Sequence, residues 1–98
     1  MYTGIKVTSK RVQDEIPTWL QNLLWYLVET LDAEEKDATQ IFELNGVVNN
    51  ETMQQSILHT QQNPCYRKEQ LISIKQAITA KVIVIDNVSH CFMLISSA

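Results

Sequence analysis

Four residues of this 98-residue chain have the readiest chemistry: His59, His90, Cys65 and Cys91. An imidazole titrates near neutrality and a thiolate is a nucleophile and metal ligand, so spacing decides what they can do together. Neither histidine has a second histidine or cysteine three or four positions away, the spacing of helical or loop-borne metal ligands, and the cysteines form no CxxC pair. No metal site, redox motif or disulfide is therefore expected, and both thiols should be free. His90 and Cys91 are adjacent, but strand side chains alternate sides, so adjacency there separates base from thiol. Cys65 follows Pro64 close to Arg67 and Lys68, and nearby positive charge can activate a thiol; an exposed loop thiol without a role is the plainer reading.

The paired carboxylates Asp14-Glu15 and Glu34-Glu35 fall at expected helix ends, where solvation and the helix dipole account for them without acid–base catalysis. Lys6, Lys10 and Arg11, and Arg67-Lys68 beside Tyr66, read as solvated surface able to meet a small anionic patch on a partner. The sequence carries no GxGxxG, GxxxxGK[ST], GxSxG or HExxH. No catalytic residue, cofactor or metal ligand is assigned, and the expectation is a protein that is not an enzyme.

Positioning any site requires a fold, and the composition bounds it. The chain is 45% hydrophobic and 19% charged with two glycines and two prolines, which describes a globular chain enclosing one core; a single domain over residues 1–98 is expected. Eleven acidic against eight basic residues give a net charge of −3, which argues against nucleic acid and anionic lipid as partners. The apolar runs Leu23 to Leu31 and Val82 to Ile85 are far short of the roughly 20 residues of a membrane span. The first twelve residues lack the apolar stretch of a secretory signal, so a cytoplasmic location is expected.

From Asp14 to Leu31, Ile16, Leu20, Leu23, Leu24, Leu27, Val28 and Leu31 recur at helical spacing. One helix is expected, with Asp14, Glu15 and Pro17 in its first turn and the acidic run Asp32 to Asp37 at its end. Trp19, Trp25 and Tyr26 widen its apolar arc, which core packing around a nearly surrounded helix explains most simply; the other reading is one aromatic facing a partner. Beyond it, Thr39 to Leu44, Met53 to Gln61, Leu71 to Lys75, Ala80 to Asp86 and Cys91 to Ser96 read as strands, with Ile5 to Thr8 as an N-terminal one. Asn45-Gly46, Asn49-Asn50 and Asp86-Asn87 read as turns, and Gln62 to Glu69, containing Asn63-Pro64, as a loop. The expected architecture is α+β: one N-terminal helix on a mainly antiparallel, curved sheet of five to six strands, in the order β-α-β-β-β-β-β, as a meander.

Val82-Ile83-Val84-Ile85 and Phe92-Met93-Leu94-Ile95 are apolar at every position, so both faces of this hairpin require burial while one helix covers one face. Sheet curvature, the N-terminal segment or a second copy of the chain must cover the other, and a homodimer is one of these outcomes. Met53 to Gln62, rich in amides and hydroxyls, reads as a solvated or edge strand with few buried neighbours.

Val7-Thr8, Glu15-Ile16-Pro17, Leu20-Gln21, Leu24-Trp25 and Gln40-Ile41-Phe42-Glu43-Leu44 are followed by Ile57, His59, Gln61-Gln62, Pro64 and Tyr66, and then by Val84-Ile85-Asp86-Asn87 and Met93-Leu94-Ile95. This layout, spanning nearly the whole chain, resembles the domain of unknown function 960 family, short proteins of staphylococci, streptococci, lactobacilli and their relatives. The resemblance implies a cytoplasmic protein of Gram-positive bacteria, chromosomal or carried on a phage or other mobile element, with no established activity or cofactor. The chain departs from the family at Asn63 and at Ser96-Ser97-Ala98, where such proteins carry acidic and acidic-aromatic residues. If the family shares a site, the matching residues His59, Gln61, Pro64 and Tyr66 are where it falls, a polar strand leading into a proline loop.

The leading expectation is a non-enzymatic interaction module that pairs with itself or another protein through the second sheet face or an edge strand. Two other classes stand beside it. One is a small ligand-binding domain or enzyme using His59 with Tyr66 or Cys65, which requires those side chains to converge in a pocket. The other is an inhibitor of the anti-CRISPR kind, mimicking nucleic acid with acidic charge.

Overall fold

The structure, a computed structural model, describes residues 2–31 and 35–96. Residues Asp32 and Glu34 of the acidic run, and Ser97-Ala98, lie outside the described residues. Six strands form one open sheet: β1 (Ile5–Thr8), β2 (Thr39–Asn49), β3 (Thr52–Gln61), β4 (Tyr66–Ser73), β5 (Ala80–Asn87) and β6 (His90–Ile95), in the spatial order β1-β6-β5-β2-β3-β4. Every neighbouring pair is antiparallel except β1 with β6. Two helices, α1 (Lys10–Glu15) and α2 (Thr18–Glu29), join β1 to β2.

The single helix expected from Asp14 is two helices. Proline disfavours helical angles at the residue before it and clashes with the preceding turn, so Ile16 is extended at φ −107° and ψ 121°. Pro17 is then the N-cap of α2 rather than a first-turn residue. Asp14 and Glu15 consequently lie in the last turn of α1, not at a helix start, and Glu15 pairs with Arg11 one turn back at 2.8 Å. Ser9 caps α1 by accepting from the Val12 amide at 3.2 Å. The Ile16 carbonyl, freed by the break, accepts from the Gln21 side-chain amide at 2.6 Å, and the same amide reaches the Val12 carbonyl at 3.3 Å beside its bond from the Ile16 amide.

The sheet is not a simple meander. β2, β3 and β4 follow one another, but β5 returns across the sheet to lie against β2, giving the four-strand order of a Greek key. Asn45-Gly46, expected as a turn, is inside β2; the reversal is at Asn50-Glu51, whose positive φ values of 52° and 66° build the two-residue turn that matches strand twist. The loop expected over Gln62 to Glu69 spans only residues 62–65, around a cis Asn63-Pro64 bond. Tyr66 to Glu69 belong to β4, where Arg67, Lys68 and Glu69 mark an edge strand that charge protects from further pairing; by composition alone they look like loop. β4 ends at Ser73 rather than Lys75.

Alternation sorts the strands onto two faces. Phe42, Leu44, Ile57, Val82, Val84, Cys91 and Met93 form the core with Val12 of α1 and Leu20, Leu24, Trp25 and Val28 of α2, so both helices cover one face. Tyr2, 2% exposed, joins the same cluster, which places the N-terminal segment on the helix side. Gly4 lets that segment pass the β5–β6 turn: a Cβ there would stand 2.6 Å from the Ser89 carbonyl oxygen, which accepts from the Ile5 amide at 3.0 Å. No helix among the described residues is long and apolar enough to cross a membrane.

Candidate functional site

β3 overturns the expectation of a solvated edge strand. It is flanked by β2 and β4 and turns Gln55, Ile57, His59 and Gln61 to the helix side, all buried. Polar side chains enter a core when their hydrogen bonds are supplied there, and these are. The four residues singled out in the sequence, His59, Gln61, Pro64 and Tyr66, do come together. The His59 ring lies edge-on to Tyr66 with centroids 5.4 Å apart and stacks on Phe42 at 4.3 Å. Gln61 donates to the Pro64 carbonyl at 2.9 Å.

Gln40 of β2 ties them into one network. Its amide nitrogen donates to Gln61 Oε1 at 2.6 Å and to the Asp37 carbonyl at 3.0 Å, which leaves its Oε1 as acceptor for His59 Nε2 at 2.7 Å. The proton on the histidine is thereby assigned to Nε2. Gln61 also donates to the Glu35 carbonyl and accepts from the Asp37 amide, both at 2.9 Å. The Tyr2 hydroxyl donates to the Asp37 carbonyl at 2.7 Å, and the Asp37 carboxylate accepts from the Thr39 and Asn63 amides. Desolvation lowers the His59 pKa to about 4, so the ring is neutral at pH 7, and burial pushes the Tyr2 phenol well above its ordinary value. Chemically the arrangement tethers: it fastens the chain entering β2, the Pro64 loop and the N-terminal segment to the sheet. Its amide nitrogens are spent on protein oxygens.

A second buried amide works the same way. Gln55, fully buried, donates to the carbonyls of Asn45, Ser56 and Ile78 at 3.0 to 3.1 Å and accepts from the Ile78 amide at 2.7 Å. It pins the crossover from β4 to β5. Gln40 and Gln55 escaped sequence reasoning, although a signal exists: each stands two positions from a core apolar residue, Phe42 and Ile57, on a strand face.

The cysteines do not join a site. Cys65 is exposed and Cys91 buried, and burial raises the Cys91 pKa. His90 contacts Ser89 Oγ through Nδ1 at 3.0 Å, on the opposite side of β6 from Cys91. Lys6 is paired with Glu29 and stands 5.8 Å above the Trp25 ring. Among the described residues no group of three or more His, Cys, Asp or Glu could hold a metal ion. A cleft of about 450 Å³ opens where α1 meets the middle of β2, the start of β5 and the end of β6, and its charged lining residues are Arg11, Glu15, Glu43 and Lys81, of both signs.

The other sheet face has no helix over it among the described residues. It presents Ile5 and Val7 of β1, Phe92 and Leu94 of β6, Ile83 and Ile85 of β5 and Ile41 of β2 as one apolar area. Ile5 is 66% exposed and Leu94 37%. Towards β3 and β4 the same face becomes mixed, with Ser56, Thr60, Arg67 and Glu69 beside Leu58 and Leu71.

These features fit the chain's relatives. A family model described as "Staphylococcal protein of unknown function (DUF960)" matches residues 6–98. No curated protein matches the chain. Among solved structures, a protein of unknown function from Enterococcus faecalis is similar with a TM-score of 0.67 at 15% identity, over 93% of this chain and 86% of that one; at that identity the likeness is one of fold. With nearly its whole length matched, this α+β chain belongs to the DUF960 family.

Proposed function

We propose that the protein is a non-enzymatic interaction module whose binding surface is the helix-free face of the sheet. The observation that carries this reading is the apolar area from Ile5 to Ile41, which no helix covers across four adjacent strands, with Ile41, Ile83, Ile85 and Phe92 half-buried among their neighbours and Ile5, Val7 and Leu94 exposed. Soluble monomers seldom leave so broad an apolar surface unpartnered. The network around His59 supports the same reading, because its histidine and glutamines are committed to holding backbone segments rather than turned towards a cavity. A ligand site at His59 and Tyr66 has convergence in its favour, but His59 is only 4% exposed. Cytoplasmic residence accords with the free thiols of Cys65 and Cys91.

The test is a photo-crosslinking amino acid placed at Leu94 in cells producing the protein, with Glu51 at the tip of the β2–β3 hairpin as control. Crosslinked protein adducts at position 94, above those at position 51, are expected. Equal or no adducts at the two positions would overturn the reading.

A further inference from the structure

We infer that the occupant of the helix-free face is a second copy of this chain, packed sheet to sheet about a two-fold axis over the Ile83–Leu94 pair. The inference rests on the proposed interaction surface and adds the identity of the partner.

Size is the first argument. Six strands about 4.8 Å apart and four to eleven residues long, at about 3.3 Å per residue, present a face of roughly 750 Å². Its accessible area approaches the ~800 Å² that each partner contributes to a standard interface. A single docked helix about 10 Å wide, or one strand added at an edge, leaves most of that surface in water. Another sheet of the same breadth covers it, at the ~10 Å separation of packed sheets.

Charge is the second. The chain carries −3 overall, which disfavours self-association wherever the excess acid is displayed. The charged strand residues on this face are Glu43 and Lys81, directly opposite each other on β2 and β5, and Arg67 and Glu69 on β4. They sum to zero. A face with two charges of each sign can meet its own copy without net repulsion, whereas a strongly charged partner finds no complement there.

The distribution of these residues is the third. The β1-β6-β5-β2 side is mostly apolar, broken by the Glu43–Lys81 pair, and the β3-β4 side mixes Ser56, Thr60, Arg67 and Glu69 with Leu58 and Leu71. An axis over Ile83 and Leu94, which are register partners, overlaps the two apolar halves and carries Arg67 and Glu69 to the periphery. That is the apolar centre and polar rim of a specific interface. The N-terminal segment is not available as an alternative cover, because Tyr2 is fixed on the helix side by its bond to the Asp37 carbonyl.

The experiment is the solution mass of the purified full-length chain by light scattering, from micromolar to millimolar. A mass near twice 11.3 kDa is expected. Leu94→Arg, at a partly exposed position on the proposed axis, should weaken self-association at least ~100-fold, as charge buried without a partner does. Leu71→Arg, on the mixed β3-β4 side of the same face, should leave it within a few-fold. Circular dichroism establishes that each variant is folded; should Leu94→Arg fail to fold, Ile5→Asp, at a more exposed position of the apolar area, carries the same expectation. A wild-type mass of one chain throughout the range overturns the inference, and so does a dimer that both Leu94→Arg and Ile5→Asp leave intact. In either case crosslinks from position 94 to other proteins would leave the interaction reading standing.

Discussion

Acidification should destabilise this protein through His59, and the structure gives the size of the effect. The ring is buried against Phe42 and Tyr66, and desolvation moves its pKa from 6.5 in the unfolded chain to about 4 in the folded one. Between those values the unfolded state binds a proton that the folded state refuses, so stability rises with pH there. The contribution is fully present above pH 6.5 and is lost as pH falls through about 4. At about 1.4 kcal/mol per pH unit the ceiling is about 3.5 kcal/mol, and relaxation of the folded chain around a charged ring leaves ~2 kcal/mol. Urea unfolding at a series of pH values, in wild type and in His59→Gln, measures it. Glutamine keeps a donor for Gln40 Oε1 but does not titrate. The wild type should lose ~2 kcal/mol more than the variant between pH 7 and pH 4, a displacement of the midpoint by roughly 1 M urea. Parallel pH profiles for the two proteins, or an imidazole that titrates at its unperturbed value by NMR, would refute the argument.

Two further outcomes follow from the same structure. Gln55→Leu, which abandons the Ile78 amide and three carbonyls, should cost about 3 kcal/mol in chemical denaturation and raise hydrogen exchange selectively over residues 74–79. Val88 holds a left-handed φ of 54° at a position 88% exposed, where a β-branched side chain is strained and packs against nothing; Val88→Asn should stabilise the chain by ~1 kcal/mol, read as a rise of roughly 5 °C in Tm.

Much of the sheet was legible in the sequence because apolar runs of β-branched residues have few other uses. Ile5 to Thr8, Ala80 to Asp86 and Cys91 to Ser96 lie within a residue or so of β1, β5 and β6. The helix was legible in its periodicity and misjudged at its start, because Pro17 suits a first turn and a break equally until the Ile16 backbone is known. The polar strand misled most. Gln55, His59 and Gln61 look solvated one at a time, and only the partners brought by distant segments, Gln40, Asp37 and Ile78, make their burial favourable. The same holds for the candidate site. Its four residues were found together from a resemblance, but that His59 and Gln61 face inward could not be read without the Greek-key return of β5 that sets which strands are central.

The parallel pairing of β1 with β6 joins Ile5 to His90 and Thr8 to Met93, the first strand to the last. During synthesis at the ribosome, β1 emerges early and waits for nearly the whole chain before its hydrogen-bonding partner exists. α1 and α2, which follow it directly, can form at once, but the sheet they cover begins with β2 and β3 and is completed only when β5 and β6 appear. Completion of the fold therefore waits on the late-synthesised end: a nascent chain stalled before residue 90 keeps a free N-terminal strand, an uncapped β5 edge and a core that lacks Cys91 and Met93.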